Sequence, residues 1–545
     1  MKNKDYNFGK LIDLVKLEKS EIFTIYFYAA LSGLIQLSLP LGIQSILGFV
    51  QGGAMVTSVY FLIFIIIMAV LVVGSLQINQ MKIIEKIQQK IFVRYALAFA
   101  DTIPKFDLKE VDKLYLPESI NRFFDTLNIQ KGVSKLLLDI PLALIQILFG
   151  LILLGFYHSL FIVFSIVLVF IFWLIFKLTS KNGLKTSLNE SKYKYSVVAW
   201  LQEMGRVIKS FKYSQGTHLN LIKTDQRLQF YLSSRTSHFK VLLFQYKSLV
   251  FIKVCVTALM LILGTYLLFN QMINIGQFVA SEIIFWTIIN ASEKLITCLE
   301  NVYDVATGLY KIDHLLEIPL EKEGKLKLNK TELNITVSNL SFGFHENQTV
   351  FNNFSASFPA HSITGISGDE NTGKSTLLSL LSGSYKDFKG NINFNNIPIE
   401  SFSLESIRSQ TGILLYQQDL FEGTLYENIT LGRNDISIEK IIDLIYELGL
   451  DNFISFFPNA FDTHIDPLGG GLPSSMIRKI LLLRATIHAS VLLLLEEPWS
   501  GLEQKAKVSI QNYLLKSAQT KTIIVTTNDQ EFIQKCSHHI HLSNQ

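Results

Sequence analysis

The stretch Gly368-Asp369-Glu370-Asn371-Thr372-Gly373-Lys374-Ser375 sets two glycines, a lysine and a hydroxyl at the spacing of a P-loop. It follows a β-branched apolar run at 362–366 and opens, at Thr376, an apolar helical pattern. Glycines let such a loop wrap phosphates with successive backbone N–H groups, and a helix N-terminus adds its positive dipole. Lys374 is then placed to bridge the outer phosphates and Ser375 to ligate magnesium.

A second element lies downstream. Val491-Leu492-Leu493-Leu494-Leu495-Glu496-Glu497-Pro498 reads as a buried strand ending in two carboxylates. At the C-terminal edge of a parallel sheet such groups meet the ligand crevice, where Glu496 can hold hydrated magnesium and Glu497 can orient or deprotonate water. Further short apolar runs at 335–337 and 522–526 alternate with helical patterns, so residues from about 333 onward predict an α/β domain with a largely parallel sheet.

Upstream the composition changes. The 545-residue chain is 49% hydrophobic and only 17% charged, and its apolar residues concentrate in the first part. Runs at 22–50, 55–76, 140–158, 159–176, 248–269 and from 276 onward each approach or exceed the roughly 20 residues that cross a bilayer as a helix. Six spans are expected. The turns between them pairwise carry no Lys or Arg, whereas the two long excursions contain Lys82, Lys86, Lys90, Arg94, Lys192, Lys194, Arg206 and Lys209. The positive-inside rule puts those excursions and both termini in the cytoplasm. The first run is too long for a cleaved signal, and Met1 to Glu21 is too short for a peptidase-like region, so leader processing by this chain is not expected.

The expected division is a transmembrane domain at 1–298, a linker at 299–332 and a nucleotide-binding domain at 333–545. A net charge of +4 with no basic stripe interleaved with aromatics argues against nucleic acid as a partner. Cys255, Cys298 and Cys536 are too few and too scattered for a disulfide framework or a metal cluster.

With these motifs in order, the whole chain resembles a half-transporter of the ATP-binding cassette exporter family, similar in layout to peptide and type I secretion exporters. The resemblance implies ATP and Mg2+ as ligands, with Gly368, Asp369, Glu370, Asn371, Thr372, Gly373, Lys374, Ser375 and Thr376 around the phosphates. Phe344, in Phe342-Gly343-Phe344, matches the aromatic that stacks adenine, with a core aromatic as the alternative. Gln417 or Gln418 matches the glutamine that touches magnesium and senses the membrane domain, Gln417 being preferred. Ser500-Gly501-Leu502-Glu503 stands at the D-loop. Cytoplasmic coupling is expected near 104–113 and 210–218.

Three positions depart from the family pattern. The signature loop reads Leu472-Pro473-Ser474-Ser475-Met476, and Pro473 has neither hydroxyl nor N–H. Proline suits the start of a helix, so the element should still form, with Ser474 and Ser475 as remaining donors. Asn528 stands at the switch histidine, and Glu496 replaces the usual aspartate. Losing one positioned transition-state donor costs about 3 kcal/mol, so nucleotide binding should persist while hydrolysis slows.

The implied function is ATP-driven export of an unidentified substrate across a bacterial inner membrane. The chain would act with a second half-transporter, as homodimer or heterodimer, and an export channel with a periplasmic adaptor and outer-membrane component could join. The alternative is a hydrolysis-impaired half that gates a competent partner. Within the spans, Lys253 and Glu293 read as a structural pair or as snorkelling groups, and Gln36, Gln44 and Gln146 as helix-to-helix hydrogen-bonding residues. Glu282 has no basic residue at its depth and is expected to face a central cavity.

Overall fold

In the computed structural model the described residues are 18–52, 57–213, 217–328, 332–345, 348–416, 418–488 and 490–543. They form two units. One takes the chain up to Lys105 and then Leu114–Ile318; the other takes Phe106–Lys113 and Pro319–Gln545.

The first unit is built of long helices: α1 (Lys19–Gln36), α2 (Ser38–Gln51), α3 (Thr57–Thr102), α4 (Asp125–Tyr157), α5 (Ser159–Arg206), α6 (Leu219–Phe269) and α7 (Ile275–Leu316). Among the described residues, five stretches are long and apolar enough to cross a membrane: Lys19–Gln51, Thr57–Lys105, Leu116–Tyr157, Leu219–Phe269 and Ile275–Leu316. The expected span at 159–176 falls in α5, where several side chains lie outside the described residues. The break at Leu37 between α1 and α2 precedes Pro40, which has no N–H to extend the earlier helix.

Polar side chains inside this unit tie helices together. Gln146 donates to the Gln36 side chain, the Tyr157 hydroxyl donates to Gln44 Oε1 at 2.6 Å, and Gln80 donates to the Ile25 carbonyl at 2.9 Å. Lys253 and Glu293 pair at 3.0 Å. The glutamines and the ion pair therefore serve packing, as their sequence context suggests. Gly150 lets α4 approach α7 closely, since a Cβ there would stand 2.9 Å from Ile288.

One boundary differs from expectation. Helix α7 runs to Leu316, through the first part of the expected 299–332 linker. The reason is packing: Leu299, Tyr303, Leu309, Ile312 and Leu315 are buried at helical spacing. The chain becomes extended only from Pro319, where Pro319 O accepts from Asp107 N–H at 2.9 Å within the second unit.

Among its described residues the second unit holds eleven strands: β1 (Ile335–His345), β2 (Gln348–Phe358), β3 (Ile363–Gly368), β4 (Lys389–Phe394), β5 (Ile397–Pro398), β6 (Thr411–Leu414), β7 (Gly423–Thr424), β8 (His464–Ile465), β9 (Leu492–Glu496), β10 (Thr522–Thr526) and β11 (His538–Leu542). The expected parallel sheet is present, with order β11-β3-β10-β9-β6. Beside it stands an antiparallel sheet, β2-β1-β4-β5, which the expectation of one largely parallel sheet did not include. Strands β3 and β10 are buried along their whole length, which explains the apolar run Ile523–Val525 in β10 and the absence of any charged residue from either strand.

Candidate functional site

Strand β3 ends at Gly368, and helix α8 (Lys374–Leu381) starts at the far side of the loop. Gly373 turns the chain into that helix at φ +90°, and a Cβ there would stand 2.8 Å from both the Phe351 ring and Val350, so only glycine fits. Thr372 is buried and its hydroxyl donates to Asp369 O at 2.9 Å, closing the loop on itself. Asp369, Glu370 and Asn371 are exposed. The Lys374 ammonium curls over the loop, donating to Gly368 O at 2.5 Å and Asp369 O at 2.7 Å. Ser375 and Thr376 continue the first turn of α8.

The parallel sheet brings the two carboxylates to this loop. Ser375 donates its hydroxyl to the Glu496 carboxylate, whose other oxygen accepts from Tyr416 N–H at 2.8 Å. Glu497 follows at φ +43°, held by its N–H on Thr526 O at 2.9 Å. Its carboxylate accepts from the Thr527 hydroxyl at 3.3 Å. Burial pushes the Glu497 carboxyl above the usual range, against the opposing pull of Thr527, Lys374 and Arg478. Arg478 donates to the carbonyls of Glu496 and Glu497, the latter at 2.6 Å. Asn528 Oδ1 accepts from Gly368 N–H at 3.2 Å.

Lys374, Ser375, Glu496, Glu497 and Asn528 are thus gathered at one edge of the sheet. Phe344 stands apart on β1, edge-on to Phe342 and Tyr385 at centroid distances of 5.2 and 5.5 Å. Ser474 and Ser475 open helix α9 (Ser474–Thr486), whose N-cap is Pro473. The helix forms as the sequence suggests. Ser474 is exposed and Ser475 half-buried, and neither makes a hydrogen bond to the P-loop among the described residues. Gln417 lies outside the described residues; Gln418 turns its side-chain oxygen back onto Leu415 N–H at 3.3 Å.

Several contributors were not singled out from sequence. Thr527 was not, although it adjoins Asn528 in the run Thr526-Thr527-Asn528. The Tyr416 N–H on Glu496 carries no signal in residue type, because any backbone could supply it. The second unit also holds Lys109 paired with Asp387 and the Tyr385 hydroxyl donating to Asp112 at 2.7 Å. Lys109 belongs to the short helix Leu108–Val111 and Asp112 is its C-cap, both within the expected coupling stretch 104–113; of the other stretch, 210–218, residues 214–216 lie outside the described residues.

The family model described as ABC transporter matches residues 351–500. A probable ABC transporter ATP-binding/permease protein of Haemophilus influenzae is 30% identical over 241 residues, covering 44% of this chain and 44% of that protein. The alpha-hemolysin translocation ATP-binding protein HlyB of Escherichia coli is 25% identical over 265 residues, covering 48% of this chain and 38% of its own. The chain thus spans less than half the length of these curated relatives in the matched region. A solved bacterial Atm1-family ABC exporter with ATP bound superposes with a TM-score of 0.86 at 16% identity, covering 96% of this chain and 93% of the other. That likeness concerns fold.

A P-loop whose serine meets a carboxylate at the end of β9, two strands along the same parallel sheet, defines a nucleotide-binding domain. Residues 351–500 are more particularly an ABC transporter ATP-binding domain. It is fused to a helical transmembrane region with the fold of an Atm1-family exporter, in an integral membrane protein.

Proposed function

We propose that this chain is one half of a dimeric exporter driven by ATP hydrolysis, acting on a still unidentified substrate. The observation that carries the reading is the convergence of Lys374, Ser375, Glu496 and Glu497 at one sheet edge in a chain with an exporter fold.

In this reading, Lys374 exchanges its loop carbonyls for the outer phosphates of ATP, while loop N–H groups and the α8 terminus hold the rest. The Ser375 hydroxyl and Glu496 carboxylate form a hard oxygen pair suited to magnesium, with Gln417 completing the set. Bound there, the ion supplies neutralisation of phosphate charge. Glu497 orients the attacking water and takes its proton, with Thr527 fixing the carboxylate. Phe344 stacks the base. Ser474 and Ser475 act on the nucleotide of the opposite subunit, which makes the second half necessary.

The same reading puts the protein in a bacterial inner membrane, with termini and nucleotide-binding domain in the cytoplasm, in keeping with the Lys/Arg distribution. Lys109 and Asp112 on Asp387 and Tyr385 supply the mechanical link from the first excursion. An adaptor and outer-membrane channel are the partners suggested by the likeness to HlyB.

A second reading is a hydrolysis-impaired half that gates a competent partner. What favours it is Asn528, whose oxygen is spent on Gly368 N–H, together with Pro473 in the signature loop. Turnover in lipid separates the two. Vigorous hydrolysis by the parent, abolished by Lys374→Ala and Glu497→Gln, supports the first; ATP binding with negligible turnover alone and recovery only beside a second half-transporter supports the other.

A further inference from the structure

Between α5 and α6 runs a groove of about 840 Å³. Its α6 wall is one stripe, Lys247, Phe251, Cys255 and Leu259, at four-residue spacing; Val167 and Ile171 of α5 face it. Lys247 to Leu259 spans about 18 Å at 1.5 Å per residue, close to half of a bilayer's roughly 30 Å hydrocarbon core. The groove therefore has the length of one leaflet, with a cation at one end and apolar walls along the rest.

The register of the two helices adds a second cation. Trp200 Nε1 donates to Thr224 at 3.0 Å, Arg235 donates to Glu190 at 3.0 Å, and Thr186 meets His238 at 2.9 Å. These contacts define an antiparallel pair, and extending their register puts Lys177 level with Lys247. Lys177 stands over the Trp173 ring, 4.7 Å from its centroid. Neither lysine has a carboxylate partner among the described residues, unlike Lys253, which pairs with Glu293 on the same helix bundle. Lys247 in the groove wall, with Lys177 level with it on α5, sets positive charge at the end of an intramembrane groove, which suits a phosphate headgroup, and basic pockets between transmembrane helices recognise anionic lipids. Apolar walls of leaflet length suit its acyl chains, each buried CH2 contributing about 0.8 kcal/mol.

We propose that the α5–α6 groove binds one anionic phospholipid, its headgroup at Lys247 on the level that Lys177 shares, and its chains along Phe251, Cys255 and Leu259. The proposal rests on the first unit being the membrane domain and is independent of whether ATP is hydrolysed.

The test uses the full chain in mild detergent, stripped of lipid and offered phosphatidylglycerol or phosphatidylcholine with identical acyl chains, with bound lipid counted by native mass spectrometry. The parent is expected to retain one phosphatidylglycerol per chain, preferred by about tenfold, or 1.4 kcal/mol. Lys177→Glu with Lys247→Glu removes the preference; Cys255→Trp, which fills the groove, removes both lipids. Lys374→Ala loses nucleotide binding but keeps the lipid, so failure of the ATP site is told apart from failure of this one. Equal retention of the two lipids by the parent overturns the proposal without any variant having to fold. So does retention unchanged in Cys255→Trp, or crosslinking of Cys255 to a second copy of the chain, which would mean that protein fills the groove.

Discussion

Asn528 Oδ1 accepts a hydrogen bond from the backbone N–H of Gly368 at 3.2 Å. The second residue after β10 therefore reaches the P-loop, but with an acceptor, where an imidazolium would present a charged donor. In the export reading, Pro473, the N-cap of α9, takes away a second donor, since it has neither hydroxyl nor N–H. Restoring Ser at 473, Gly at 474 and 475, and His at 528 is expected to raise ATPase turnover by about 100-fold or more, since one positioned donor is worth about 3 kcal/mol. Steady-state phosphate release in lipid measures it. A correctly folded variant with no gain would mean that Ser474 and Asn528 already suffice.

The P-loop and the carboxylate pair separate binding from chemistry. Lys374→Ala is expected to weaken ATP binding sharply, because the ammonium is the loop's own cation. Glu497→Gln should bind ATP as the parent does and lose whatever hydrolysis the parent has. Equilibrium binding of a fluorescent ATP analogue, read beside turnover, checks both; loss of binding in Glu497→Gln would remove Glu497 from the role of base.

Burial raises the Glu497 carboxyl, and Thr527 opposes that rise. A base acts when ionised, so turnover should fall as pH drops through this raised value, at a pH above the usual carboxylate range. Thr527→Val removes the hydrogen bond that favours the ionised form, so the acid limb should move to higher pH, whereas Thr527→Ser should leave it in place. The sign for stability is opposite. A carboxyl with a raised folded-state pKa stabilises the fold while protonated, and that contribution is lost as pH rises from the unfolded value through the folded one. Glu497→Gln should therefore gain melting temperature over the parent at neutral pH and lose that advantage in acid. An acid limb indifferent to Thr527→Val would remove Thr527 from the positioning role.

The parts of this molecule legible in sequence are those in which residue type itself carries the constraint. Gly373 must be glycine at its φ, Ser375 needs a hydroxyl for Glu496, and the buried β9 and β10 need unbroken apolar runs. The antiparallel sheet was less legible because β1 pairs with β2 through several register shifts, which blur the alternation of a half-buried strand. The end of α7 is hard to read in sequence because the helix buries its last turns beneath a polar-looking stretch, where Leu309, Ile312 and Leu315 are diluted by Lys311, Asp313 and His314. Tyr416 and Thr527 became visible only once the sheet order set them beside Glu496 and Glu497.

Glu282 tests the reading of the helical unit most directly. It lies on α7 between buried Ser281 and buried Ile284 and Phe285, and its Oε1 is enclosed with no hydrogen-bond partner among the described residues. A charged carboxylate inside a span costs about 2.5–3.5 kcal/mol on insertion scales. A residue that keeps one there without a cation beside it is expected to meet water or cargo during the transport cycle. Unlike Glu293, which has Lys253 at 3.0 Å, it has nothing in the described structure to explain its retention. Cysteine placed at 282, in a background with Cys255, Cys298 and Cys536 replaced, should therefore react with a membrane-impermeant thiol reagent in at least one nucleotide state. Glu282→Gln should fold normally, because no ion pair is broken. Complete protection of the cysteine with and without ATP, together with a large loss of stability in Glu282→Gln, would make Glu282 a buried structural group and take it off the transport path.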